Sequence, residues 1–217
     1  MSNPNQKDAG CLHPEMCSGQ EIRLRKSSLI FEEGEKLTSF YIVKEGACLL
    51  SSLSEKNEQR IHRILGPGDI MGKRSFFTGE GAVSSAQALN EVTLSVYSAN
   101  EMMGFLKSQP GLCQEVMAEL IQDGYRSEDE EPVFNVHKDI TQRLAALLHY
   151  LATKFGTNSA NELRVQLKRI EMAAVLGTSP EYITNLLKRF ESWGVIKGYK
   201  NKIQLHGLEQ LESMFSP

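Results

Sequence analysis

The chain has 217 residues, 41% hydrophobic and 24% charged, ordinary for a globular protein of one large domain or two smaller ones. No apolar run approaches about 18 residues, which argues against a membrane span, and the polar stretch Met1 to Gly10 lacks the apolar core of a secretory signal. The net charge of −3 conceals an asymmetry: residues 164–202 carry eight basic side chains against Glu171, Glu181 and Glu191, a local +5 that leaves −8 elsewhere.

A basic segment on an acidic body points to a local polyanion site. The expected location is the cytoplasm, where Cys11, Cys17, Cys48 and Cys113 stay mostly reduced and a structural disulfide framework is not expected.

Residues 1–18 are polar and aperiodic and read as a loose tail. From Glu21 to Ser98 the chain is short and strand-like. Ile22 and Leu24 alternate with charge, and apolar runs follow at Leu29 to Phe31, Phe40 to Val43, Ala47 to Leu50, Ile61 to Leu65 and Val92 to Tyr97. Glycines punctuate them, so a β-sandwich or barrel is predicted.

After Ser98 the period changes. Leu112, Val116 and Leu120 recur at helical spacing, a stripe able to seal its own domain and also to pair with a copy of itself. Cys113 is placed on the exposed side of this helix. The acidic run Glu128 to Glu131 and Pro132 mark a hinge near 127–138. A second amphipathic helix carries Ile140, Leu144, Leu147, Leu148, Leu151 and Phe155, with Gly156 as its C-cap.

Residues 168–191 read as helix, turn, helix. Ile170, Met172, Ala173, Val175 and Leu176 form the apolar face of the first helix. Gly177 occupies the tight turn, Thr178 or Ser179 caps the next helix, and Pro180 with Glu181 suits its first turn. Ile183, Leu186, Leu187 and Phe190 then point inward, leaving Glu181, Tyr182, Thr184, Asn185 and Lys188 on a polar face able to reach base edges in a major groove. Residues 195–205 read as a strand, a basic turn with Lys200, and a strand: a hairpin wing for phosphates. Trp193 is expected as a core anchor. No nucleophile–base pair, phosphate-cradling loop or paired acid motif argues for an enzyme.

The text from Glu171 to Phe190, EMAAVLGTSPEYITNLLKRF, resembles the CRP/FNR family of bacterial regulators. Arg143-Leu-Ala-Ala-Leu-Leu, Gly66-Pro-Gly-Asp-Ile-Met-Gly72 and Ser85-Ala-Gln-Ala-Leu89 are similar to family segments in the same order, the last to the FNR branch. The match covers about residues 20–210. The resemblance implies an α+β chain: a flexible Cys-containing tail at 1–18, a cyclic-nucleotide-binding-like β-roll sensor at 19–110, a dimerisation helix and hinge at 111–137, and a winged helix-turn-helix at 138–217. It implies a homodimer on a palindromic double-stranded operator and RNA polymerase as a partner. Lys168 and Arg169 match phosphate-contact positions. The expected DNA-facing set is thus Lys168, Arg169, Ser179, Pro180, Glu181, Tyr182, Thr184, Asn185, Lys188 and Lys200. The family's Arg four residues after the Glu is Asn185 here, and Asn suits adenine where Arg suits guanine.

The signal is less determined. Cyclic-AMP binders of this family need a Glu where this chain has Lys73-Arg74, read as exposed turn residues, and an Arg where it has Ala82-Val83-Ser84. A buried phosphate without its partner is costly, which argues against cyclic AMP. Cys48 reads as a packed core residue. For the rest, three readings stand open: an iron–sulfur cluster or other metal involving Cys11 and Cys17, a thiol–disulfide switch joining Cys11 or Cys17 to Cys113, and cysteines with no sensing role. A regulator responding to redox state, oxygen or a metabolite is expected; the alternative is a small-molecule or cyclic-nucleotide binding module acting on a partner protein.

Overall fold

The computed structural model describes residues 19–54, 58–111, 113–114, 116–118, 139–198 and 202–215. The chain divides into two compact units, residues 1–52 with 63–129 and residues 53–62 with 130–217. The tail with Cys11 and Cys17, the hinge with Pro132, and Leu112, Leu120 and Lys200 lie outside the described residues.

Among the described residues, eight strands build the first half: β1 (Gln20–Leu24), β2 (Leu29–Phe31), β3 (Ser39–Glu45), β4 (Cys48–Leu53), β5 (Gln59–Leu65), β6 (Ile70–Met71), β7 (Ser85–Ala88) and β8 (Val92–Ser98). They form two four-stranded sheets in the orders β1-β8-β3-β6 and β2-β7-β4-β5. Between β6 and β7 lies α1 (Lys73–Thr78).

The run Phe40-Tyr-Ile-Val43 does not alternate in polarity because β3 is covered on both sides. Val43 and Tyr41 join the roll interior with Phe31, Leu65, Met71, Ala86, Val92 and Leu94. Phe40 and Ile42 point the other way, into a cluster with Ile70, Tyr97, Met102, Leu106 and Val116. Gly46 turns the chain from β3 to β4 at φ 86, and a Cβ there would lie 2.2 Å from the Glu91 carbonyl oxygen, so no other residue fits.

The helix α2 (Ala99–Ser108) was not legible as an apolar stripe, but its capping box was written in the sequence. Ser98 Oγ accepts from the Glu101 N–H at 3.3 Å, and the Glu101 carboxylate accepts from the Ser98 N–H at 2.8 Å. Val116 is buried in its own unit's core, the sealing role expected of its stripe. One expectation about this segment changes. Cys113 is half-buried against the same cluster and not on an exposed side, because α2 and β3 cover that flank.

In the second half, α3 (Ile140–Phe155) is capped by Asp139, whose carboxylate accepts from the Thr141 N–H at 2.6 Å. Leu144 to Leu148, Leu151 and Ala152 are all buried, so α3 is the central helix of its unit. Gly156 closes it as expected, its N–H donating to the Ala152 carbonyl. Residues 163–167 were missed in the sequence although Leu163, Val165 and Leu167 alternate with polar neighbours. The Leu163 N–H donates to the Ile203 carbonyl at 3.0 Å, adding a third extended segment to the hairpin of β9 (Ile196–Lys197) and β10 (Gln204–Leu205). A short α6 (Leu208–Ser213) follows, and Phe215 just beyond it meets His149 edge to face at 5.4 Å.

Candidate nucleic-acid interface

Helix α4 (Arg169–Leu176) begins at Lys168, whose N–H is accepted by the Glu171 carboxylate at 2.5 Å. Met172, Ala173, Val175 and Leu176 are buried as expected; Ile170 is 63% exposed because it sits on the outward side of the first turn. Gly177 follows at φ 65, a left-handed conformation that a side chain disfavours. The Gly177 and Thr178 N–H groups both donate to the Ala173 carbonyl, which ends α4 and reverses the chain.

Helix α5 (Pro180–Ser192) starts two residues on. Ser179 Oγ accepts from the Tyr182 N–H at 3.2 Å, Pro180 fills the first helical position, and Glu181 places negative charge at the positive end of the helix dipole. Ile183, Leu186, Leu187 and Phe190 are at most 1% exposed, so the inward face of α5 is fully spent on packing.

The outward face is free. Glu181, Asn185 and Lys188 are exposed, spaced four and three residues apart, and therefore share one side of the helix. Tyr182 is 45% exposed on the flank. Thr184 is half-buried, and its hydroxyl donates to the Pro180 carbonyl at 2.8 Å, so only its lone pairs remain for a ligand. Ser179 and Lys168 are exposed, while Pro180 and Arg169 are half-buried at the rim.

The hairpin is tied to α5: the Gly198 N–H donates to the Glu191 carboxylate at 3.2 Å. Lys197 is exposed. Lys202 is held 2.9 Å from the Glu162 carboxylate, so its charge is partly offset. That hydrogen bond first, and one from the Asn158 amide second, hold the Glu162 carboxyl below its usual range.

Trp193 departs from expectation. It is 50% exposed and lies at the end of α5, where the helix runs past the core it covers. Its ring is 5.8 Å from that of Phe190, and the Arg189 guanidinium sits 4.8 Å from its centroid. Arg189, exposed beside Lys188, was not singled out in the sequence; the spacing Arg189-x-x-x-Trp193 was the available signal.

In the β-roll, Lys73 is not an exposed turn residue. It opens α1 and is 5% exposed, because α1 lies against β3 and covers it. Arg74 is exposed, 3.9 Å from the Glu80 carboxylate. Ala82 and Ser84 are buried and Val83 is exposed.

Cys48 is fully buried, and burial first, with the charge of Asp69 second, pushes its thiol up to about 12. Cys48 is a packed residue of the roll core. Among the described residues no group of three His, Cys, Asp or Glu side chains is placed to hold a metal ion, and no helix is long and apolar enough to cross a membrane.

Two family models match the chain, a cyclic nucleotide-binding domain over residues 21–109 and a Crp-like helix-turn-helix domain over residues 142–214. The chain is similar to the anaerobic regulatory protein of Haemophilus influenzae, 28% identical over 190 residues that cover 87% of this chain and 73% of that protein. It is also similar to the fumarate and nitrate reduction regulatory protein of Vibrio cholerae, 29% identical over 171 residues, 77% of this chain and 67% of that one. Its fold matches the structure of FixK2 from Bradyrhizobium japonicum with a TM-score of 0.76 at 18% identity, covering 91% of this chain and 98% of the other.

Proposed function

Because the chain belongs to the CRP/FNR family of DNA-binding transcription regulators, we propose that it reads a palindromic operator as a cytoplasmic homodimer. Each recognition helix α5 enters a major groove, about one helical turn from its partner. The reading is carried by one observation: the inward side of α5 is wholly buried while Glu181, Asn185 and Lys188 stand exposed together on the other.

Within this reading Glu181 accepts from a cytosine amino group and Asn185 pairs with adenine. Lys168, Arg169, Ser179 and the hairpin lysines meet phosphates, contributing affinity without sequence information. RNA polymerase is the expected protein partner.

Redox state or oxygen is the proposed signal, supported by relatives called anaerobic regulatory and fumarate and nitrate reduction regulatory proteins. Cyclic AMP is not favoured, since buried Lys73 stands where a ribose-binding Glu is needed. Burial of Cys48 in the roll core leaves Cys11, Cys17 and Cys113 as the candidates for a cluster or thiol switch.

The test is selection of duplexes from a randomised palindromic pool, followed by salt titration of the selected site. Wild type should show log affinity falling linearly with log salt. Glu181→Ala should lose base preference at one position per half-site and keep its non-specific binding. Full selectivity in that variant would show that another segment reads the bases. Repeating the titration on protein purified without oxygen, before and after air exposure, tests the signal.

A further inference from the structure

We propose that Arg189, held over the ring of Trp193, grips a backbone phosphate beside the recognition face. The proposal rests on the DNA-binding reading above and adds a contact outside the polar face that the sequence marked.

Tyr182, Arg189 and Trp193 stand at i, i+7 and i+11 along α5, so they form one stripe on its flank. All three are exposed, at the boundary between the buried face and the face of Glu181 and Asn185. A guanidinium stacked 4.8 Å over an indole is oriented in advance, and its edge N–H groups stay available for a phosphate. Arg forks match phosphate oxygens bidentately. Among the described residues no ion pair closes on this guanidinium.

The test is a salt titration of wild type, Arg189→Ala and Arg189→Lys against one selected and one random duplex, with folding checked by circular dichroism. Arg189→Ala should weaken both duplexes alike and lower the salt slope by about 0.9. Arg189→Lys should keep the slope with lower affinity.

Trp193 is the chain's one tryptophan, so its emission should shift on DNA binding in wild type and not in Arg189→Ala. An unchanged slope in a folded Arg189→Ala overturns the proposal alone. Wild type that binds neither duplex overturns the DNA-binding reading beneath it.

Discussion

Replacing Asn185 by Arg should change which base is read at one operator position and little else. Asn185 is exposed one helical turn beyond Glu181, a rise of about 6 Å along α5. With base pairs stacked about 3.4 Å apart, the two side chains address positions about two base pairs apart. Asn presents a donor and an acceptor to adenine, whereas Arg presents two donors to guanine. A bidentate pair discriminates by about 1–3 kcal/mol, or about 5- to 150-fold per half-site. An exposed surface substitution should alter stability by no more than about 0.5 kcal/mol. The assay is parallel selection from a randomised palindromic pool, then competition between the two winning duplexes. Asn185→Arg should exchange adenine for guanine two positions from the Glu181-dependent base. A variant that still binds tightly and selects the wild-type operator would show that Asn185 does not touch a base edge.

Three further outcomes are expected. Phe190→Ala removes a fully buried ring from between α5 and its unit's core and should cost about 3–5 kcal/mol, read as a lower urea midpoint together with lost DNA binding. Gly46→Ala forces a side chain into the left-handed region and against the Glu91 carbonyl, costing about 2 kcal/mol or more in urea unfolding. Cys48 should resist alkylation in the native protein and react only on unfolding. Its folded pKa of about 12 lies above its ordinary 9, so its stabilisation is complete below pH 9 and is lost as pH rises toward 12. An alkaline unfolding titration should show that loss relaxed in Cys48→Ala.

The helix-turn-helix was readable because each of its signals is local. Gly177 has to reverse the chain, Ser179 and Pro180 open the next helix, and Ile183, Leu186, Leu187 and Phe190 repeat at helical spacing. These need only neighbouring residues to act. The failures came where a side chain's surroundings are supplied by distant segments. Ile170 fits the periodicity of α4 yet stays in solvent. Lys73 has the composition of a surface turn yet is covered by the sheet it packs on. Thr184 reads as a base-contacting hydroxyl, but its proton is already given to the Pro180 carbonyl.

Sequence alone therefore determined the strand-rich first half, the helix-turn-helix and hairpin of the second, the turn that joins α4 to α5 and which stripe of α5 is oily, because periodicity and turn chemistry are set within a few residues. Only the tertiary structure decided that β3 is covered on both faces, that Val116 serves its own core, and that Trp193 stands half in water under Arg189. Burial depends on which surfaces meet across long stretches of chain, and no local pattern carries that information.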